Sequence, residues 1–379
     1  MRFRSLPLFA TLFLVILLFA RGPGLMGQEG AAESHETIDA QHDSEGVSHE
    51  NGGEEEEFNA GEYIMEHIAD AHEWHILTKP NGEHVSIYLP VILFSKHSGF
   101  HIFSSKKIAH GHSHHGFQMG HGMHGEKNLE GVIIEVDEHG ELLEEGIPLD
   151  LSITKNVFMM LLSVILLLWV FLSLARSYKR TGISEPKGMQ GFLEPVILFI
   201  EEDVAKPNIG EEKYHRYLPY LLTVFFFILL NNLMGLIPFF PFGANVTGNI
   251  AVTGVLAIFT FLITQFSGNR GYWQHIFNTP GVPIWLAPIM IPVEIIGMFT
   301  KPFALMIRLF ANITAGHIIV LSLLSMIFIF KSVGMSIPSM VMVLFMDCIE
   351  ILVAFLQAYI FTLLSALFIG LAMPEHHHD

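Results

Sequence analysis

Side chains that exchange protons, and one that cannot, stand together in the most apolar part of this 379-residue chain. Between Val282 and Phe330 lie Glu294, Lys301, Arg308, Asn312 and His317; between Ser339 and Met373 lie Asp347, Glu350 and Gln357. Ionisable groups within membrane-grade apolar sequence are costly to keep and point to function. Glu294, Lys301 and Arg308 are seven residues apart, so on a regular helix each falls within about 20° of the next. Asn312, four past Arg308, joins that stripe, whereas His317, nine past it, falls about 180° away. On the second segment Asp347 and Glu350 are one turn apart and Gln357 follows a heptad later, giving one polar face with Cys348 off it. Glu, Asp and His can carry protons; the Arg guanidinium, with a pKa above about 12, stays charged and needs a counter-charge or a hydrated cavity. An Arg308–Glu350 ion pair would satisfy one such Arg structurally. Six ionisable groups and two amides on neighbouring segments instead favour a hydrated proton route with Arg308 as its electrostatic barrier.

The elements that must hold these residues emerge from where the charge sits. The chain is 51% hydrophobic and 15% charged, with a net charge of −17 and a mean hydropathy of +0.47. Residues 28–150 hold 25 Asp+Glu and 5 Lys+Arg, and 16 of the 22 His; the remainder is nearly balanced, at +3. This describes an acidic, His-rich head (28–150) before a membrane body (151–379). The charge balance excludes a basic nucleic-acid binder, and the single cysteine, Cys348, excludes a disulfide framework or a Cys-based zinc site. Residues 1–27 form a third part: Arg2 and Arg4 precede the apolar run Leu6–Ala20, the build of a secretory signal peptide, cleaved or else kept as an uncleaved anchor. The head is then exported.

The sequence predicts an all-α polytopic membrane protein of about five to six transmembrane helices ending in a long tilted helical hairpin. A first span covers Val157–Ala175, and residues 176–217 carry seven Lys+Arg, which makes that side cytoplasmic. Met189–Val204 is amphipathic and reads as a surface helix. Spans follow at Leu218–Phe240 and Asn249–Ser267, with a cytoplasmic loop at 268–281. Val282–Phe330 is apolar for 49 residues despite four prolines, about 70 Å as one helix, so it either breaks or slants. After a turn at Lys331–Pro338, Ser339–Met373 is again too long for an upright span. In the head, 28–60 reads as disordered, 61–78 as a short amphipathic helix, and Ser86–Ser95, Phe100–Ser104 and Gly131–Val136 as short strands.

The head also offers candidate metal ligands. His67, His72 and His75, with Asp70, fall at one-turn spacings if 61–78 is a helix. His110, His112, His114 and His115 open a histidine run to residue 124. Neutral imidazoles suit a divalent zinc, nickel or copper ion; the alternatives are a helix on the membrane surface for the first cluster and a solvated low-complexity loop for the second. A His-rich exterior collector on a metal-ion or other secondary transporter is therefore the rival function. Such a transporter needs ligand-type residues at mid-membrane on several spans, and the first and third spans carry no ionisable residue.

The run Lys301–His317, KPFALMIRLFANITAGH, closely resembles the signature of subunit a of F-type ATP synthases. Glu350–Leu364, EILVAFLQAYIFTLL, resembles that family's last helix, and the similarity covers roughly residues 150–373. The resemblance implies a proton-channel stator subunit with two half-channels serving a rotating c-ring. It implies partners in the c-ring, the subunit b stalk and the rest of the complex, a bacterial inner membrane, no catalysis by the chain itself, and no required cofactor. It implies that Arg308 is the ring-facing barrier with Asn312 and Gln357 beside it, Glu294 the acid of the cytoplasmic half-channel, and His317 and Glu350 the outer half-channel pair. Many bacterial members carry Glu at the first and His at the second of that pair; this chain has them exchanged. Asp347 has no counterpart in the family pattern, and neither does the acidic head in the family's common short versions.

Overall fold

A computed structural model of the chain describes residues 60–61, 64, 68–78, 84–120, 123–124, 127–129, 131–137, 142–143, 146–181, 188–237, 240–277, 284–330 and 333–373. The expected signal peptide, the acidic segment that follows it and the C-terminal PEHHHD lie outside these residues.

The head is a set of small antiparallel sheets. Strands β1 (Glu73–Thr78) and β2 (His84–Tyr88) pair, and β3 (Pro90–Ser95) pairs with β4 (Gly99–Ser104). Strand β5 (Phe117–Met119) pairs with β8 (Ile133–Glu135), and β6 (Met123–His124) with β7 (Lys127–Asn128). Strand β9 (Leu149–Asp150) adds to β3, giving the order β4-β3-β9. The expected helix over 61–78 is therefore wrong in its second half, where Glu73–Thr78 is extended: its Trp, Ile and Thr suit a pleated surface, and His84–Tyr88 supplies the partner ladder. The expected strand Ser86–Ser95 divides at Leu89. Pro90 has no N–H to continue the β1 ladder and opens a new strand, while Leu89 bridges the corner by hydrogen bonds to His72 and Ser105.

The body is helical. Helix α1 (Lys155–Thr181) leads to α2 (Met189–Phe199), which continues through a π-helical stretch, Ile200–Ala205, and a turn, Lys206–Ile209. Then come α3 (Tyr214–Gly235), α4 (Ile250–Ser267), a short α5 (Arg270–Phe277), α6 (Ala287–Phe330) and α7 (Val333–Leu371). Five of these are long and apolar enough to cross a membrane: α1, α3, α4, α6 and α7. From Ala287 to Phe330 the apolar run does not break. At 44 residues α6 is about 66 Å long, so it fits a hydrocarbon core of about 30 Å only when slanted. Pro292 and Pro302 lie inside it, and the expected turn at 331–338 is shorter, since α7 starts at Val333 and takes in Pro338. With no water to accept freed backbone groups, a lost ladder bond at proline is cheaper than unwinding the segment.

The core runs between α3 and α4 and one face of the α6/α7 pair, through Leu221, Phe225, Leu256, Leu305, Leu309, Ala358 and Phe361, all buried. The other face of the pair is open, with Phe299, Phe303, Ile307, Leu352 and Phe355 exposed. The head seats on α1 and on the α3–α4 connection. Trp74 meets Phe158 and Phe240 edge-on at 5.7 and 5.4 Å. Lys155 N–H donates to the Ala71 carbonyl at 3.0 Å, and Asn156 N–H donates to Asp70 Oδ1 at 3.1 Å. Asp70 thereby satisfies one of the first N–H groups of α1.

Candidate functional site

The unbroken α6 keeps the heptad stripe that its sequence spacing implies. Arg308 and Asn312 are exposed, one turn apart, on the open face of the hairpin, while their neighbours Leu305 and Leu309 pack inward at 1% exposure. Lys301, a heptad earlier, is also exposed, with its ammonium 5.7 Å from the Phe368 ring centroid on α7. Glu294 is half-buried on the same stripe, about 21 Å along the axis from Arg308. Among the described residues no carboxylate lies within 4.0 Å of the Arg308 guanidinium, so the Arg308–Glu350 ion pair is not formed.

His317 and Glu350 belong to a separate, inward-facing group, as the half-turn offset from Arg308 requires. Glu350 is buried at 9% exposure against α6, where a Cβ added to Gly316 would lie 2.8 Å from its Oε1. His317 faces the end of α3, with Nε2 3.7 Å from the position of a Cβ on Gly235. Asp347 is half-buried one turn before Glu350, and Gln357 is buried two turns after it, alongside Ala354 and Ala358.

Around this pair the structure gathers polar residues to which the sequence reading gave no role. Asn232 of α3 reaches the Ala354 carbonyl of α7 at 3.4 Å, and Thr247 donates to Asn232 Oδ1 at 2.6 Å. Asn231 Oδ1, Asn245 Nδ2, Thr314 Oγ1 and Glu350 Oε1 are buried without a protein hydrogen-bond partner. Polar atoms so placed are costly in a dry interior and are ordinarily met by water. A second buried ladder lies nearer the other end of the bundle: Tyr220 OH and Thr260 Oγ1 are 2.7 Å apart, and Thr260 and Ser365 hydroxyls 3.3 Å apart. These are neutral residues scattered over three helices, so only the fold could reveal them as neighbours.

Among its described residues the head does not assemble the expected metal ligands. His67 lies outside the described residues, His75 is in β1, and His72 Nε2 is 3.0 Å from Asp150 Oδ2. Without the 61–78 helix the one-turn spacing of His72 and His75 has no meaning. In the second cluster His110 falls in a short 3₁₀ turn, Ala109–Gly111, and His112 is exposed. Lys107 donates to His114 Nε2 at 3.2 Å, and the His114 and His115 ring centroids are 4.1 Å apart. A nitrogen lone pair facing an ammonium is not offered to a cation. Among the described residues no group of three or more His, Cys, Asp or Glu is arranged to hold a metal. Burial pushes the Asp150 carboxyl up, but His72 and Ser152 together hold it below the ordinary carboxylate range.

Comparison with known proteins addresses both halves of the chain. A domain family of unknown function (DUF8433) matches residues 63–151, and the family described as ATP synthase A chain matches residues 157–370. ATP synthase subunit a of Chloroherpeton thalassium is 51% identical over 235 residues, covering 60% of this chain and 69% of that protein. ATP synthase subunit a 2 of Chlorobaculum tepidum is 54% identical over 241 residues, 61% of this chain and 66% of that one. ATP synthase subunit a of Chlorobium phaeobacteroides (strain DSM 266) is 45% identical over 289 residues, 71% of this chain and 81% of that one. The family model spans more than half of the chain and takes in both polar segments of the slanted pair: this protein belongs to the ATP synthase A chain family.

Proposed function

We propose that this chain is the proton-channel stator subunit of an F-type ATP synthase in a bacterial inner membrane, coupling the proton gradient to ATP synthesis without catalysing chemistry itself. One observation carries the reading. Arg308, unable to discharge, sits on the open apolar face of α6 with no counter-charge from the described chain. A charge kept in such surroundings needs a partner that comes from outside. The carboxylates of a rotating c-ring supply one at a time. Arg308 draws each carboxylate into its ionised form and keeps protons from passing directly between the two sides.

The remaining residues divide by position. Glu294, toward the start of α6, serves the cytoplasmic half-channel. Asp347, His317 and Glu350, with the unpartnered polar atoms of Asn231, Asn245 and Thr314, line the outer half-channel, where water meets them. Asn312 and Gln357 flank Arg308. The seven Lys+Arg of residues 176–217 support a cytoplasmic α1–α3 connection, with the head outside and the C-terminus inside. The c-ring, a subunit b stalk and the remaining subunits are the expected partners. A secondary transporter with an exterior metal collector is disfavoured: α4 carries no ionisable residue, and the head assembles no metal site among its described residues.

The test is Arg308→Ala in inverted vesicles. ATP-driven acidification is expected to vanish while the complex still assembles and co-purifies with its ring and nucleotide-binding subunits. Normal pumping by the variant overturns the assignment, and purification of the chain without those subunits favours the transporter.

A further inference from the structure

The β4-β3-β9 sheet of the head is apolar on both faces. Val91, Leu93 and Phe103 point into a small core with Ile108, Phe117 and Ile133. On the opposite face, strand register lines up Leu149, Phe94 and Phe100 in one row across the three strands. Ile92 and Ile102 form the next row, extended by Leu151, whose N–H donates to the Ile92 carbonyl. Leu149, Phe94, Phe100 and Ile102 are 60, 51, 59 and 62% exposed. An antiparallel sheet with one packed face normally turns polar residues outward, and an apolar row of this size marks a contact surface.

We propose that this face rests on the lipid of the exterior leaflet, making the head a membrane-seated element rather than a freely solvated one. Two observations select lipid as the occupant. The first is continuity. The β9 ladder runs on, with Ile153 N–H donating to the Pro90 carbonyl, and α1 begins at Lys155, so the sheet is joined to a membrane-spanning helix with almost no intervening chain. The lipid-facing side of that helix carries exposed Ile165, Leu168, Trp169 and Leu172. The second is charge. Residues 28–150 hold only five Lys+Arg against 25 acids, yet three of the five border this sheet: Lys96 in the β3–β4 turn, Lys106 just after β4, and Lys107 beside it, turned to His114. Apolar rows edged by lysine suit the boundary between acyl chains and anionic headgroups. The preceding segment of this chain is a poor alternative cover, since residues 28–57 carry eleven acids and scarcely any large apolar side chain. The inference rests on α1 crossing the membrane and is independent of the proton path.

The test uses the full chain with Cys348→Ser, reconstituted one copy per lipid nanodisc containing phosphatidylglycerol. Single nitroxide labels go at Phe100→Cys, Ile102→Cys and, as a solvent reference on the same head, His112→Cys. Collision with oxygen is expected to dominate at 100 and 102, with collision by a water-soluble nickel complex several-fold lower than at 112. Equal nickel access at all three positions overturns the proposal. Protection that appears only with two copies per disc assigns the face to a second chain, and protection lost on deleting residues 28–57 assigns it to that segment; either result also overturns lipid seating. Failure of any of these arms leaves the Arg308 experiment untouched.

Discussion

Gly316 of α6 and Glu350 of α7 meet across the slanted pair so closely that any Cβ at position 316 would stand 2.8 Å from the Glu350 carboxylate. The missing side chain is what lets a buried acid on one helix lie against the backbone of the other. His317 follows immediately and faces α3, so one turn of α6 presents space to the acid and an imidazole to its neighbour. The group that meets the methyl is the flexible end of a side chain. Gly316→Ala should therefore displace the carboxylate while leaving the helices packed. We expect normal assembly with proton flux reduced by a few-fold to about 100-fold, the range that ångström-scale misplacement of a working group produces. Gly316→Val should abolish flux. ATP-driven quenching of a pH-sensitive dye reads both, and full flux in the Ala variant would remove Glu350 from the path.

Exchanging the outer pair separates chemistry from placement. Glu350→Gln keeps the shape and the buried polar end but cannot carry a proton, so proton-driven ATP synthesis should fall while the amount of assembled complex stays near wild type. His317→Glu with Glu350→His keeps one acid and one imidazole on facing helices. The double variant should retain more synthesis than either single change, as a coupled pair requires. Additive losses would mean that the two residues act independently.

The seating of the head on α1 should respond to acid. Asp150 lies between β3 and the start of α1, paired with His72 and hydrogen-bonded by Ser152, and its folded-state pKa is below the ordinary 3.8. A carboxylate with a lowered folded pKa contributes stability that is complete above its unfolded value and is lost as pH falls through the folded one. Protection of the head from protease should thus hold at neutral pH and decline below about pH 4. Asp150→Asn should weaken protection at neutral pH and flatten the acid-dependent loss. An unchanged acid profile in the variant would show that other carboxylates set it.

How much of this was readable from the chain depends on what carried the signal. The stripe Glu294–Lys301–Arg308 was legible because a 3.6-residue period needs only a continuous helix, and α6 is continuous. Its length, and the slant that length demands, were legible too; whether the chain would break at its prolines was not, since proline is read as a stop in water and tolerated where backbone groups have no other acceptor. Glu73–Thr78 was misread because a six-residue amphipathic stretch fits either period, and only the His84–Tyr88 partner decides it. Asn232 and Thr247 could not be tied to α7 from sequence, because the meeting of Asn232 with the Ala354 carbonyl depends on how the end of α3 packs on α7. Arg308 stood out as a candidate from the cost of its charge alone; that no carboxylate of the described chain meets it needed the packing.

The C-terminal helix is fixed by another missing side chain. Gly370, near the end of α7, packs on the turn Lys206–Ile209 so tightly that a Cβ there would fall on the Asn208 carbonyl. Its neighbours Ile369 and Ala372 are fully buried, and the Ala372 carbonyl accepts the Asn269 N–H at 3.0 Å, so the helix end is held from two sides. Backbone, unlike the Glu350 carboxylate, cannot swing aside. Gly370→Ala gains about 1 kcal/mol of helix propensity and loses about 1–3 kcal/mol to overpacking, with the loss winning because both surfaces are anchored. The purified chain in detergent should melt at a lower temperature than wild type. Gly297→Ala on α6 provides the control: nothing lies within 4 Å of its added Cβ, so the propensity gain should appear unopposed and the melting temperature should hold or rise. A Gly370→Ala chain that melts like the Gly297→Ala chain would show that α7 is free to shift off the Lys206–Ile209 turn.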